Sequence, residues 1–175
     1  MIHKHLFAVA LLLYSVFSFG QESFPAQKLT SQTESWDFIC ENYALTGKAA
    51  IQISKTEKGG NLNISIATTD PSYYVGGVVY VFLDDYSIIV CTDKGIRKSE
   101  KGIIAAQYTF TVSEMSKLRK TDIASIRFNI RGNQKTFGSQ TGNFTAVNKK
   151  TYFSTTENKI QTYETASQIN SLYKI

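Results

Sequence analysis

The sequence predicts a mainly β or α+β fold, in which an antiparallel sheet or a curled sandwich carries one short helix and a C-terminal helix. Apolar and polar residues alternate at period two through much of the chain, as they do in half-buried strands. Clusters of Gly, Asn, Asp and Ser separate these runs and indicate turns. Because the connections are short, neighbouring strands are expected to be antiparallel.

The first half of the chain is expected to form strands joined by tight turns. Residues 75–83 are apolar at consecutive positions, which indicates a central strand covered on both faces. Asp84 and Asp85 are expected to turn this strand into the next one, because Asp tolerates the backbone angles of turns. The expected strands are residues 49–54, 61–66, 75–83, 87–91 and 102–110, with a polar loop at 92–101.

Two helices are expected in the second half. Thr111 and Glu114 have the spacing of a capping box, in which each side chain satisfies a free backbone N–H of the other residue. Apolar residues at steps of three and four between 160 and 173 predict an amphipathic C-terminal helix. Between the helices we expect a strand at 123–131, a long loop or weak hairpin at 132–148 and a short strand at 150–154.

The N-terminal segment has the three parts of a signal peptide. Lys4 precedes the apolar run Leu6 to Phe17, and Ser18 and Gly20 offer small residues before a cleavage site after Gly20. We therefore expect a secreted or periplasmic protein with a signal peptide at 1–20, a flexible lead-in at 21–34 and a single β-rich domain at 35–175. No later run is long and apolar enough to predict an integral membrane segment.

The composition limits the partners and the kinds of catalysis that the chain can support. The formal net charge is +5, and the basic residues are spread along the chain, which argues against a nucleic-acid partner. The two histidines, His3 and His5, both fall in the expected signal peptide. The mature chain would therefore lack the imidazole needed for Ser-His-Asp or Cys-His catalysis and for His-ligated zinc. No catalytic residue, metal or cofactor is predicted.

Cys40 and Cys91 are the two cysteines of the chain. In an exported protein this number suggests one disulfide. Such a bridge would close a loop of about 50 residues and contribute roughly 4 kcal/mol in the chain-entropy model. Period-two counting points both side chains inward, which fits two separate buried thiols as well.

Two places in the chain have candidate binding residues. Tyr73 and Tyr74 follow a proline turn and precede two glycines, a setting in which exposed aromatic side chains bind glycans or peptides. Lys94, Arg97 and Lys98 lie in the polar loop and are able to hold an anionic group. The alternative interpretations are edge packing for the tyrosines and a solvated connection for the basic residues. Gly76-Gly77 lacks phosphate-loop spacing and indicates a bulge or a close backbone approach.

Two stretches carry a resemblance to a group of known proteins. They are YVFLDDYSIIVCTDKGI (80–96) and YTFTVSEMSKLRKTDIASIRFNI (108–130), and the signal peptide ends in Phe19-Gly20-Gln21. The chain resembles small, uncharacterised exported β-rich proteins of Bacteroidota bacteria over residues 75–131. The resemblance implies export and a hairpin followed by a short helix and a strand. It implies no activity and no functional residues.

The function these observations favour is that of an exported, non-enzymatic binding or interaction protein with an unknown protein or glycan partner. One alternative is a carboxylate-dependent glycan hydrolase or a subunit of one, which needs two acids facing one cleft. Another is an inhibitor or an accessory protein of the envelope. Asp84 and Asp85 are adjacent carboxylates, but neighbours in a turn point in different directions, so we expect them to be turn residues.

Overall fold

The computed structural model describes residues 31–41, 47–132, 140–151 and 161–174. The expected signal peptide and residues 21–30 of the expected lead-in lie outside this part of the chain. The described residues form eleven strands and two short helices. The strands are β1 (Ser31–Gln32), β2 (Trp36–Cys40), β3 (Lys48–Thr56), β4 (Gly59–Ala67), β5 (Tyr74–Val75), β6 (Val79–Leu83), β7 (Ile88–Cys91), β8 (Arg97–Glu100), β9 (Ile103–Phe110), β10 (Ile123–Arg131) and β11 (Gly142–Val147); the helices are α1 (Val112–Leu118) and α2 (Thr165–Ser171).

The strands form one curled antiparallel sheet, which confirms the predicted fold class. Their order is β7-β6-β10-β11-β2-β3-β4-β9-β8, with β1 beside β3 and β5 beside β10. The curl brings the segment around β5 against β8 and β9. There the Tyr108 hydroxyl donates a hydrogen bond of 3.2 Å to the Gly77 carbonyl, and the Arg97 Nε donates one of 3.0 Å to the Val75 carbonyl.

The concave side of the sheet holds the hydrophobic core. Alternation places every second residue of the long strands inward, so Ile51 and Ile53 of β3 face Ile64 and Leu62 of β4 and are all fully buried. Burying one such side chain contributes about 1.5–3 kcal/mol. Trp36 belongs to the same cluster, and its Nε1 donates a 3.0 Å hydrogen bond to Gln168 of α2.

The helices cover the core at one end. The predicted capping box of α1 is present: Thr111 Oγ1 accepts from the Glu114 N–H at 3.2 Å, and a Glu114 carboxylate oxygen accepts from the Thr111 N–H at 2.7 Å. Met115 and Leu118 are the buried residues of α1 and pack against the core. The predicted C-terminal helix is α2, shorter than the apolar spacing suggested. Neither helix in the described part of the chain is long and apolar enough to cross a membrane.

The segment expected to be one central strand differs from that expectation. Residues 74–83 form two strands, β5 and β6, because the chain breaks at Gly76 and Gly77, where Gly77 has a φ of +82°. An added Cβ at Gly76 would lie 2.8 Å from the Tyr74 ring and 3.1 Å from Arg97, so two side chains pack closely against the backbone here. β6 is second from the end of the sheet order, and on its outward face Tyr80 is 40% exposed and Phe82 is half-buried.

Three shorter segments contain strands: two were expected to lack regular structure, and the third, residues 132–148, was expected to be a long loop or a weak hairpin. Residues 31 and 32, at the end of the expected lead-in, pair with β3, and the Thr33 hydroxyl accepts the Ile53 N–H at 3.1 Å. The polar loop at 92–101 contains β8, and the stretch at 132–148 contains β11. Of the expected short strand at 150–154, residues 152–154 lie outside the described residues. Polar composition hid these strands because none of them has a full run of alternating apolar residues.

The suggested disulfide is not formed. Cys40 lies in β2 and Cys91 in β7, and both are free and buried. Both point inward, as predicted, but β11, β10 and β6 stand between their strands in the sheet order. Burial raises the pKa of each thiol to about 12, with the nearby Glu114 carboxylate adding to the effect at Cys91. The alternative of two separate buried thiols is the one observed.

Candidate functional site

The β6–β7 hairpin presents an apolar surface to solvent. Tyr80 lies directly across from Val90, and Phe82 across from Ile88, with all four side chains on the outward face. Tyr80 is 40% exposed, Ile88 is 49% exposed and Val90 is 54% exposed. We call these four residues together with Tyr86 at the turn the hairpin face. Phe82 is half-buried. Contiguous apolar side chains that are exposed in this way are typical of interaction surfaces.

Tyr86 occupies an unusual backbone position at the tip of the hairpin. Its φ is +64°, and its side chain is 95% exposed. The turn closes through the Tyr86 N–H to the Leu83 carbonyl at 3.0 Å and the Leu83 N–H to the Ser87 carbonyl at 2.9 Å. A residue with positive φ in such a loop is usually Gly or Asn. Here the chain holds a large aromatic side chain in solvent at a conformational cost.

Carboxylates lie next to this tip. Asp85 accepts the Ser87 N–H at 2.9 Å, and its bonds to Ser87 lower the pKa of its carboxyl. Burial, Asp122 and Asp85 raise the pKa of Asp84. Asp122 itself accepts hydrogen bonds from the Ala166 N–H at 2.7 Å and the Thr165 hydroxyl at 3.1 Å, so its carboxylate caps the start of α2. The prediction that Asp84 and Asp85 are turn residues is confirmed.

The structure brings together Tyr74 and Arg97 among the residues singled out from the sequence. The Arg97 guanidinium lies 4.6 Å from the centre of the Tyr74 ring, donates to the Val75 carbonyl and forms an ion pair with Asp93. Tyr73 is partly buried and packs against the core. These contacts join β5 to β8 across the curl of the sheet.

The two predicted lysines lie apart from that cluster. Lys98 pairs with Glu100 at 2.8 Å on the outward face of β8, while Arg97 beside it points the other way. Lys94 lines a groove at the ends of β4 and β9. The five predicted binding residues therefore do not form a single site.

Sequence reasoning missed the outward side chains of the hairpin face. Residues 75–83, which include Tyr80 and Phe82, are apolar at consecutive positions, and we interpreted this run as a strand covered on both faces. The signal that distinguishes exposure is the position of Tyr86 after Asp84-Asp85, where a turn residue such as Gly or Asn is normal. A large residue at that position of a short hairpin therefore indicates a contact surface.

The aspartates in and beside the predicted binding segments accept hydrogen bonds from backbone N–H groups. Asp70 accepts the Ser72 N–H at 2.8 Å, and Asp93 accepts the N–H groups of Gly77 and Gly95 at 2.7 and 2.8 Å. Within residues 31–41, 47–132, 140–151 and 161–174, no three His, Cys, Asp or Glu side chains are grouped so as to hold a metal ion.

Comparison with family models, with curated proteins and with solved structures gives no match to this chain. The function is therefore argued from geometry and sequence.

Proposed function

We propose that this protein is an exported, non-enzymatic binding or interaction protein, and that the hairpin face is the surface by which it contacts a protein partner. The observation that carries the proposal is the row of exposed apolar side chains on β6 and β7, which ends in the outward Tyr86. Large apolar side chains near the end of a sheet favour aggregation unless they serve a contact.

The composition of the face favours a protein partner over a glycan. Ile88 and Val90 are β-branched aliphatic residues, which pack well against other apolar side chains but offer no hydrogen bonds to sugar hydroxyls. Tyr80 and Tyr86 add aromatic area with a polar tip, a combination enriched in protein interfaces.

Export to the periplasm or the cell exterior is part of the same proposal. It is supported by the positive residue, apolar run and small residues of segment 1–20. An inhibitor or an accessory protein of the envelope would use the same hairpin face, so both remain forms of this proposal. A glycan hydrolase is less well supported, because it needs two acids facing one cleft. Asp122, the acid that together with burial raises the pKa of Asp84, accepts two hydrogen bonds at the start of α2.

A matched pair of double variants tests the proposal. Ile88→Thr with Val90→Thr makes the hairpin face polar while keeping β-branched residues in the strand. Ile103→Thr with Val112→Thr makes the same chemical change at exposed sites outside the hairpin face, with side chains 49% and 64% exposed.

Each tagged protein is used to retain partners from an extract of the native envelope, with quantification by mass spectrometry. We expect the wild type and the Ile103→Thr, Val112→Thr variant to retain the same amount of at least one partner protein. The Ile88→Thr, Val90→Thr variant should retain at least tenfold less of it. Equal retention by both double variants would contradict the proposal. Circular dichroism of each variant verifies that the fold is kept.

A further inference from the structure

A second, independent feature lies on the outward face of β3 and β4. Ser54 and Asn61 are directly opposite each other in the two strands and are 0% and 1% exposed. Among the residues that the structure describes, neither the Ser54 Oγ nor the Asn61 Nδ2 has a hydrogen-bond partner. Buried polar atoms without partners are unfavourable and rare, so the Asn61 amide is a candidate to bond a group from outside the chain.

Asn61 lines a groove of about 220 Å³. The groove lies where the β3–β4 turn, the end of β9 and the loop after β7 meet. Its polar lining residues are Thr56, Lys58, Asn61, Lys94, Thr109 and Thr111. The volume suits a single small charged group rather than a drug-sized ligand, for which pockets are larger.

The charges around the groove favour an anion. Lys58 and Lys94 form no ion pair with the residues that the structure describes. Of the acids close in sequence to the lining residues, Asp93 is bound by Arg97 and two backbone N–H groups, the Glu114 carboxylate is bound by Thr111, and Glu57 is exposed in the turn before Lys58. The Lys58 and Lys94 ammonium groups, the Asn61 amide N–H and the Thr56 and Thr109 hydroxyls together form a set of donors for an oxyanion.

We propose that this groove binds a small oxyanion group, a carboxylate, phosphate or sulfate, carried by a ligand. Lys58 and Lys94 supply the charge, and Asn61 donates the amide hydrogen bond that its burial leaves unmade. The groove shares no residue with the hairpin face, so it would be a second contact, and its failure would leave the proposed function untouched.

The test is an NMR titration of the exported protein with sodium glucuronate, inorganic phosphate and sulfate in separate arms. Sodium chloride at matched ionic strength is the control for screening. We expect saturable shifts of the Asn61 side-chain amide and the Lys94 and Thr109 backbone amides in at least one arm, and the tightest arm identifies the group. No saturable shift in any arm, or equal shifts with chloride, would overturn the proposal.

Variants separate binding from folding. Lys58→Gln with Lys94→Gln is expected to weaken the binding at least tenfold, whereas Lys117→Gln with Lys120→Gln, outside the groove, leaves it unchanged. Asn61→Ala is expected to weaken binding at least fivefold, because the amide donor is lost. Unchanged affinity in the first or in the last of these variants would overturn the assignment.

Discussion

At the residue scale, Tyr86 shows a conflict between folding and exposure. A positive φ brings the Cβ of any residue but glycine into close contact with the backbone, at a cost of roughly 1–2 kcal/mol. The side chain regains little of this, because it is 95% exposed. Residues held in unfavourable conformations are concentrated at functional positions, so we interpret Tyr86 as retained for contact with a partner.

Replacing Tyr86 by Asn is expected to stabilise the protein. Asn tolerates the left-handed region better than Tyr, so the free energy of unfolding should rise by about 0.5–1 kcal/mol. Urea denaturation followed by fluorescence or circular dichroism measures the change. If the face is a contact surface, the same variant loses partner retention while it gains stability.

Lys101 provides the matched control for this prediction. It has a φ of +51° in the turn between β8 and β9, directly before Gly102. Lys101→Asn creates Asn-Gly, the pair most favoured in such turns, and should raise the stability by a similar amount without affecting partner retention. A fall in stability for Tyr86→Asn beside a rise for Lys101→Asn would show that the tyrosine packs within the fold.

At the element scale, buried polar side chains join the chain before α2 to the sheet. The Asn148 amide donates to the Ile123 and Tyr163 carbonyls at 2.9 Å each and accepts the Tyr163 N–H at 2.8 Å. The Thr165 hydroxyl accepts the Ile123 N–H at 2.8 Å. These bonds fix α2 over the core at Ile169 and Trp36.

Asn148→Asp is expected to be strongly destabilising although its shape is nearly unchanged. A carboxylate oxygen would face two carbonyl oxygens and leave them unpaired in a buried site, at a cost of about 2–3 kcal/mol. Asn143→Asp is the control, because Asn143 is exposed and its oxygen only accepts a bond from Asn129. Chemical denaturation of both variants at neutral pH checks the prediction, and a cost below that of the control would contradict it.

The strands and helices differ in how well the sequence alone predicts them. Strands with full alternation, such as β3, β4, β9 and β10, and the helix with a capping box were predictable because local patterns alone specify them. β1, β8 and β11 were not, because pairing with a longer neighbour stabilises them more than their own residues do. The β6 part of the hairpin face was predicted to be covered on both faces, since a run of consecutive apolar residues does not reveal which face is exposed.

The surroundings of the candidate binding residues were not predictable, because contacts between distant segments of the chain determine them. Arg97 is a cation in a polar loop by sequence, and only the curl of the sheet brings Asp93, Tyr74 and the Val75 carbonyl around it. The groove at Asn61 depends in the same way on the meeting of three separate segments. Long-range contacts of this kind leave no periodic signal in the sequence.

At the scale of the whole molecule, burial makes three groups of the described core harder to ionise at alkaline pH. The pKa values of Cys40, Cys91 and Tyr108 are each raised to about 12 by burial, from 9.0 for the thiols and 10.0 for the tyrosine. A pKa raised in the folded state means that the folded protein holds the proton more tightly. The resulting stability is present below the unfolded pKa and is lost as the pH rises towards the folded one.

We therefore expect the free energy of unfolding to fall with alkaline pH in two stages. The loss begins near pH 9.0 from the thiols and steepens above 10.0 as Tyr108 contributes. Each group contributes a slope of at most about 1.4 kcal/mol per pH unit. Denaturation curves across this range measure it. In Cys40→Ala with Cys91→Ala, the onset should move to the tyrosine range; an unchanged onset would contradict burial of the thiols.

The central claim is that the hairpin face binds a protein, and site-specific photocrosslinking in the native host tests it most directly. A benzophenone amino acid is placed at Tyr86 in one variant and at Ile103, an exposed apolar residue outside the hairpin face, in the other. We predict a discrete adduct to one partner from position 86, suppressed by excess wild-type protein, and none from position 103. Adducts of equal yield and pattern from both positions, or none from position 86, would contradict the account.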